Sequence, residues 1–149
     1  IKFFSDIIYQ KNKKNIIYGF DSFEGLSHDW VGNIDHPKDK FILNSKLFKL
    51  NKNIKIIKGR VEKTIDEFIN KNSNKISFVH FDLDLYEPTK YILERIKKRI
   101  KSKGVLLFDQ MYGVPGWQKH EFRAFTETFT EDEFEYLSFG PRQIAIILK

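Results

Sequence analysis

Four short apolar runs, rich in β-branched residues, constrain the fold of this 149-residue chain more than any other feature. They cover residues 16–20, 54–57, 76–81 and 104–108. Near-continuous apolar strands are typical of parallel sheets, because helices bury both faces of such sheets. Three of the runs lead directly into an aspartate, namely Asp21, Asp82 and Asp109. The sequence therefore predicts a mostly parallel α/β sheet with three acids at its carboxyl edge, where ligands bind in folds of this class.

Helical patterns alternate with these runs. Residues 64–67 fit a capping box, which predicts the start of a helix. Residues 89–102 place their apolar side chains on one stripe, and Gly104 follows as a predicted helix stop. A third stripe, made of phenylalanines, spans residues 122–129. Strands that alternate with helices predict one doubly wound domain over the whole chain.

The rest of the chain is patterned less clearly. Residues 134–139 and 143–148 flank a Gly-Pro pair, which predicts an antiparallel hairpin at the end of the sheet. Residues 27–53 have the poorest patterning. We expect a short helix over residues 45–50, and the segment could cover the site as a lid.

The composition restricts the class of protein. The chain has no Cys, which excludes a disulfide framework and a thiolate metal site. No apolar run approaches the ~20 residues of a membrane-spanning helix, and the N-terminal residues lack the layout of a signal peptide, so a cytoplasmic location is expected. The net charge of +6 comes mainly from scattered Lys. The basic residues 97–103 complement the end of a predicted helix, so charge alone gives little support for nucleic-acid binding.

Residues 19–26 carry the first candidate site. Asp21, at a strand end, could accept hydrogen bonds from both hydroxyls of a ribose. An aspartate in this position also caps turns, and Gly25 would then close the turn. The spacing favours neither interpretation.

Asp82 and Asp84 form the second candidate site. Acids two positions apart point to the same side of an extended backbone. Neighbouring carboxylates either share a hard cation or shift each other's pKa, so one could bind a metal ion while the other takes a proton from a hydroxyl. The alternative is a solvated turn with an N-cap, which is weaker because both acids follow a buried strand.

Asp109 and Gln110 follow the neighbouring strand. Together with Asp82 they would offer three oxygen ligands, a set that suits Mg²⁺ or a similar hard ion. The alternative is that Asp109 merely caps the end of its strand. The presence of three acids at one edge favours the metal site.

The histidines and tryptophans offer weaker signals. No two histidines have metal-ligand spacing. His80 lies in an apolar run and is expected in the core, whereas His120 could face the site near a helix start. Trp117 follows a loop rich in Gly and Pro, and it could stack on a substrate ring or plug the core beneath that loop.

Three ordered segments resemble the macrocin O-methyltransferase (TylF-like) family of class I S-adenosylmethionine-dependent methyltransferases. Residues 18–26, YGFDSFEGL, resemble the family's GFDSFEGLP signature, and residues 78–86, FVHFDLDLY, resemble its segment with two aspartates before a tyrosine. Residues 104–109, 112–117 and 121–124 resemble the region that follows in the family. The match runs in order across most of the chain.

The resemblance implies a Rossmann-like fold, S-adenosylmethionine as cofactor, a divalent ion such as Mg²⁺, and a hydroxyl acceptor, often on a sugar. It implies that the metal ion lowers the pKa of the hydroxyl and that the fold aligns its oxygen with the methyl group. By position it assigns six residues: Asp21 to the cofactor ribose with Ser22 and Phe23 beside it, Asp82 and Asp109 to the metal ion, and Asp84 as the general base.

The chain departs from the family at two places. Gln110 stands where members often carry a second acid, which leaves one negative charge fewer for a metal ion. Residues 1–10 resemble the helix that follows the family's first strand and glycine-rich cofactor loop. That strand and loop are therefore expected to be missing, the sheet is expected to have a gap, and the chain is expected to be part of a longer protein.

Two other functions are compatible with the sequence. A methyltransferase-like domain without the cofactor loop could be a non-catalytic binding module, with affinity for neither cofactor nor metal ion. A basic RNA-binding protein would show a salt-dependent affinity for nucleic acid, with charge as its only support. The sequence identifies neither the methyl acceptor nor whether the protein is a homo-oligomer.

Overall fold

The computed structural model describes residues 1–11, 15–29, 41–42 and 50–149. In chain order its main elements are α1 (Lys2–Lys11), β1 (Ile17–Asp21), β2 (Ile54–Lys58), α2 (Val61–Lys71), β3 (Ile76–Phe81), α3 (Tyr86–Ile96), β4 (Ile100–Phe108), α4 (Glu121–Thr126), β5 (Phe134–Phe139) and β6 (Ile144–Leu148). Residues 45–49 of the expected helix over residues 45–50, and most of the segment expected to act as a lid, lie outside the described residues. Within the described part of the chain, no helix combines the length and the apolar composition needed to cross a bilayer.

The strands form two sheets among the described residues. β1 pairs with β2 in parallel, with Ile17 opposite Ile54 and Asp21 opposite Lys58. The second sheet has the order β3-β4-β6-β5, in which β3 and β4 are parallel and β6 is antiparallel to both of its neighbours. The predicted parallel strands and the C-terminal hairpin are therefore confirmed. Among the described residues, no strand pairing joins these two sheets.

The main core lies between the four-stranded sheet and helices α2, α3 and α4. Phe81 and Phe108 lie opposite each other on β3 and β4, are almost fully buried, and stack with ring centroids 4.7 Å apart. Phe125 of α4 meets Phe108 edge-on at 5.5 Å. Because Phe81 and Phe108 are the last residues of their strands, this packing fixes the height at which Asp82 and Asp109 leave the sheet.

Helix α1 connects the two sheets through side chains. Its neighbour Ile1 covers Gly19 of β1, where a Cβ atom would lie 2.5 Å from Ile1 Cδ1, so the absence of a side chain allows this approach. Phe4 packs against Phe78 of β3 with ring centroids 5.1 Å apart. Ser5 Oγ donates a hydrogen bond to the side chain of Asn53, just before β2, at 2.7 Å. The relative position of the two sheets therefore depends on the packing of α1.

The predicted helix over residues 89–102 is wrong at both ends. α3 begins earlier and ends at Ile96, and after a 3₁₀ turn β4 begins at Ile100, which lies opposite Ile76 of β3. Gly104 is not a helix stop but a buried strand residue, where a Cβ atom would lie 2.5 Å from Ile100 Cγ2. Pairing with β3 outweighs the helical periodicity of this stretch.

Two further expectations about helix ends also need correction. α2 begins at Val61, so Thr64 is not its N-cap and the predicted capping box is wrong. Thr64 Oγ1 donates instead to the carbonyl of Arg60 at 3.2 Å, the bond back to the preceding turn that a Thr inside a helix makes. Of the basic residues 97–103, only the first three directly follow α3, and the others lie in β4.

Truncation of the central stacked ring should be costly. The Phe108→Ala variant should lose about 3–5 kcal/mol of unfolding free energy, because it removes buried apolar surface and leaves a cavity beside α4. Chemical denaturation followed by circular dichroism measures this difference. Phe3→Ala is the matched control, since Phe3 is 69% exposed, and it should change the free energy by less than about 0.5 kcal/mol. Equal effects of the two substitutions would contradict the assigned core.

Candidate functional site

A cleft of about 300 Å³ opens at the carboxyl ends of β1, β2 and β3. Its walls are the turn after β1, the start of α2 and the loop between β3 and α3. Five of the seven predicted site residues line this cleft, namely Asp21, Ser22, Asp82, Asp84 and Gln110. Phe23 and Asp109 lie next to lining residues in the chain but do not line the cleft themselves. The fold thus brings acids from both sheets to one cavity.

Hydrogen bonds hold the turn after β1 from two sides. Asp21 accepts a hydrogen bond from the backbone N–H of Phe23 at 2.8 Å, and Phe23 has a left-handed φ of 61°. Arg60, just before α2, donates to the carbonyl oxygens of Gly25 and Leu26 at 2.9 and 3.2 Å. Asp21 therefore caps the turn while its exposed side chain stays at the cleft. The capping and ligand-binding interpretations of Asp21 are compatible with each other.

Asp84 is in an unusual environment for an acid. Its backbone has a left-handed φ of 62°, and the residue is only 7% exposed. Its Oδ1 atom is buried and has no hydrogen-bond partner among the described residues. Burial is the main cause that raises the pKa of Asp84 to about 7, and the charges of Asp82 and Asp109 add to the rise. A carboxyl with this pKa can take up a proton near neutral pH.

The loops after β3 and β4 are joined at the edge of the sheet. The backbone N–H of Asp109 donates to the carbonyl of Phe81 at 3.0 Å. Asp109 Oδ1 accepts a hydrogen bond from Nε2 of Gln143, just before β6, at 3.1 Å. The pKa of Asp82 is raised, first by desolvation and then by the charge of Asp109. Asp82 and Asp109 thus lie close enough to influence each other, as the sequence predicted for acids on neighbouring strands.

Two buried oxygen atoms among the residues that line the cleft have no hydrogen-bond partner within the described residues. Gln110 Oε1, like Asp84 Oδ1, is buried without a hydrogen-bond partner in the part of the chain that the structure describes. A carbonyl oxygen without a donor is a chemical fit for a hard cation, as are the carboxylates of Asp82 and Asp109. Across the described ranges, however, no three acidic or histidine side chains come close enough together to hold a metal ion. A cation site would therefore depend on Gln110 as its third protein ligand.

Sequence reasoning missed Glu121, which lies beneath these loops. It is the first residue of α4 and is only 1% exposed. Its two carboxylate oxygens accept hydrogen bonds from the backbone N–H groups of Leu83 and Gln110, both at 3.3 Å. Burial raises the pKa of Glu121 to about 8, although these two hydrogen bonds act in the opposite direction. An acid in the first turn of a helix ordinarily indicates an interaction with the helix dipole, so this buried position could not be predicted from the sequence.

Trp117, His80 and His120, the weaker candidates, are all at least partly buried. Trp117 packs edge-on against Phe122 with ring centroids 4.7 Å apart, in agreement with a residue that plugs the core beneath a loop. His80 packs against Phe4, and burial lowers the pKa of its imidazole. His120 is buried directly before α4.

Comparison with known proteins identifies relatives of this fold. A family model described as a methyltransferase domain matches residues 4–111. A crystal structure of CalS11, a calicheamicin methyltransferase, aligns with a TM-score of 0.81 and 22% identity over 97% of this chain and 65% of that one. An apo structure of CalS11, described as a TDP-rhamnose 3'-O-methyltransferase of calicheamicin biosynthesis, aligns with a TM-score of 0.69 at the same identity and coverage. The O-methyltransferase NovP aligns with a TM-score of 0.68 and 14% identity over 95% of this chain and 63% of that one. No curated protein matches the sequence.

These structural likenesses lie at 22% identity or below and show the fold. The predicted α/β Rossmann-like methyltransferase fold with a mostly parallel sheet is confirmed. The matching family model is broader than the macrocin O-methyltransferase family that the motifs resemble. The chain spans 65% of the length of the CalS11 chain.

The raised pKa of Asp84 has a consequence for stability. Because the folded protein disfavours the ionised carboxyl, the contribution of Asp84 to stability is greatest below its ordinary pKa of 3.8 and is lost as the pH rises through about 7. Asp84→Asn removes this ionisation, and Asn tolerates the left-handed backbone. As the pH rises from about 4 to about 8, the unfolding free energy of the variant should therefore increase by roughly 1–3 kcal/mol relative to that of the unsubstituted protein. Urea unfolding at both pH values measures this gain. If the unfolding free energies of the variant and the unsubstituted protein differed by the same amount at both pH values, Asp84 would not be desolvated in the folded protein.

Proposed function

The chain belongs to the methyltransferase domain family, whose model covers residues 4–111, and on this premise we propose that it transfers a methyl group from S-adenosylmethionine to a hydroxyl of a sugar or another small molecule. The fold neighbours support this acceptor, since CalS11 is described as a TDP-rhamnose 3'-O-methyltransferase and NovP as an O-methyltransferase. The observation that carries the reaction type is Asp84, a buried carboxyl in the wall of the cleft with an unbonded oxygen and a pKa raised to about 7.

Asp84 is the general base in this proposal. When a hydroxyl attacks the methyl group, the new O–C bond forms as the C–S bond breaks, and the hydroxyl proton must pass to a base. General-base catalysis is most effective when the pKa of the base lies near the working pH. The pKa of Asp84 has this value because the residue is buried beside Asp82 and Asp109. Asp84 lines the cleft, and its backbone is in the left-handed region.

Asp21, Ser22 and Phe23 form the proposed binding turn for the cofactor ribose. The hydrogen bond from Phe23 N–H to Asp21 fixes the direction of the carboxylate, and Arg60 fixes the far side of the turn. S-adenosylmethionine supplies the sulfonium methyl group when bound. Because Asp21 and Asp84 line the same cleft, the ribose and the acceptor would lie side by side. Alignment of the two reactants is largely a positioning effect.

Asp82, Asp109 and Gln110 would hold a divalent cation such as Mg²⁺ in the same proposal. When bound, such an ion lowers the pKa of an acceptor hydroxyl and orients it. Support comes from the chemistry of the donors and from the unbonded Oε1 atom of Gln110. Because Gln110 is neutral, two protein charges rather than three would hold the ion, which predicts weak binding.

A non-catalytic binding module is the second candidate function. The division of the sheet favours it, because among the described residues the strands that lead into Asp21 and Asp84 are not joined by backbone hydrogen bonds. In this case the two halves of the site would not be held firmly enough for transfer. If the protein is a non-catalytic binding module, we expect the natural protein to bind no S-adenosylmethionine and to methylate no sugar nucleotide.

Removal of the proposed base tests the function directly. In the natural protein, Asp84→Asn should lower kcat for methyl transfer from S-adenosylmethionine to TDP-rhamnose by about 10²–10⁴-fold, since it removes the only proposed proton acceptor. The dissociation constant of S-adenosylmethionine should stay within about twofold, because Asp84 does not bind the cofactor in this account. Isotope-labelled methyl transfer and calorimetry measure the two quantities.

Asp66→Asn is the control, because Asp66 is exposed and bonds to Tyr91 and Arg95, away from the cleft. It should leave kcat unchanged. If Asp84→Asn retained full activity, the assignment of the base would be wrong. If the unsubstituted protein neither bound the cofactor nor methylated any hydroxyl acceptor, the binding-module function would be favoured.

Substitutions at Gln110 test the proposed cation site. Gln110→Asp supplies a third carboxylate and should tighten Mg²⁺ binding about tenfold or more, whereas Gln110→Leu removes the oxygen ligand and should weaken it by a similar factor. Isothermal titration of the natural protein with Mg²⁺ measures both changes. If neither substitution changed the affinity, Gln110 would not be a ligand.

A further inference from the structure

Glu121 is a buried acid that the proposed reaction does not use. It is 1% exposed and lies at the start of α4, and its carboxylate accepts hydrogen bonds from the loops at the edge of the sheet. No position in the sequence motifs assigned it a role. A carboxyl in such a place needs an explanation, because burial of an acid is costly unless hydrogen bonds compensate.

Each oxygen of the Glu121 carboxylate contacts a different loop of the site. Oε1 accepts the hydrogen bond of Leu83 N–H, and Leu83 lies between Asp82 and Asp84. Oε2 accepts the hydrogen bond of the backbone N–H of Gln110. One side chain therefore spans the loop after β3 and the loop after β4. These are the two loops that carry the proposed base and the proposed cation ligands.

Docking of α4 does not explain this arrangement. Ala124 and Phe125 are completely buried in the main core, and Phe129 just beyond the helix is 5% exposed, so apolar packing holds the helix in place. Glu121 adds a further carboxyl near Asp82 and Asp84, and their charges act on it unfavourably. For helix docking alone, an apolar residue of similar size would serve at lower cost.

We propose that Glu121 is a positioning residue for the proposed methyl transfer. Its carboxylate holds the loop of Asp84 and the loop of Gln110 at a fixed separation. Asp84 has a left-handed φ in a tight turn in which Leu85 N–H donates to the Leu83 carbonyl at 2.7 Å, and Leu83 N–H, at the start of that turn, donates to Glu121. Without Glu121 this tight turn would lose its link to β4, and Asp84 would no longer be held against the acceptor. The role rests on the proposed function.

The test compares Glu121→Gln with Glu127→Gln in the natural protein. Glutamine has the same shape but only one acceptor oxygen, so its amide group faces one of the two backbone N–H groups and releases that loop. Glu127 lies just after α4, is exposed to solvent in part, and bonds to Tyr86 and Arg123 rather than to the loops. It controls for the loss of a carboxylate that only joins helices.

Two readouts separate positioning from general stability. In Glu121→Gln, amide hydrogen exchange at Leu83 or Gln110 should accelerate about tenfold or more, while exchange in β3 and β4 stays unchanged. The kcat for methyl transfer to TDP-rhamnose should fall about tenfold or more, with KM for the cofactor within about twofold. Glu121→Asp keeps the charge but is one methylene shorter. It should show the same decrease in kcat with a nearly unchanged KM for the cofactor. Glu127→Gln should change neither readout.

The outcomes distinguish this inference from the proposed function. No turnover by the unsubstituted protein would contradict the proposed function and, with it, the role of Glu121. Normal turnover with unchanged kcat in both Glu121 variants would overturn the role of Glu121 alone. Faster exchange throughout the protein, with kcat and KM altered together, would show that Glu121 stabilises the fold and does not position the site.

Discussion

The stacked rings of Phe81 and Phe108 determine the geometry on which the site depends. They hold the parallel strands β3 and β4 in register at their last residues. The aspartates that follow the two strands therefore lie at the same level of the sheet edge. Parallel pairing is essential here, because an antiparallel pair would place Asp82 and Asp109 at opposite ends of the sheet. The rise in the pKa of Asp84 follows from this geometry, since it depends on burial and on both neighbouring charges.

The second constraint is that the site has two halves on two sheets. The turn after β1 presents Asp21, and the loop after β3 presents Asp84, while α1 joins the sheets through the contacts of Phe4 and Ser5. A contact made only by side-chain packing opens at a lower free-energy cost than a ladder of backbone hydrogen bonds. The proposed reaction needs both halves at a fixed distance, so it depends on α1 as much as on the acids. We propose that Glu121 has the corresponding role within the second half, because it joins the loops after β3 and β4.

Much of this architecture could be predicted from the sequence, and the exceptions have physical causes. The apolar runs predict the strands and their ends because a parallel sheet buries both faces of each strand. The start of β4 at Ile100 was not predicted, since the pairing of Ile100 with Ile76 is a long-range contact that local periodicity does not contain. The acids were predicted as candidates, but neither the left-handed backbone of Asp84 nor the inward position of Glu121 leaves a mark in the sequence. Residue types in the sequence indicate which chemical groups are available, whereas the packing of the fold determines which of these groups lie close together.

We propose that one cleft binds S-adenosylmethionine at the Asp21 turn, beside the proposed base Asp84. Backbone amide NMR spectra of the natural protein, recorded during titration with S-adenosylmethionine, would locate the binding site. Amides of residues 21–26, 59–62 and 82–85 should shift together with one dissociation constant, while amides of β5 stay unchanged. Absence of shifts at these positions, or shifts confined to the hairpin of β5 and β6, would contradict it.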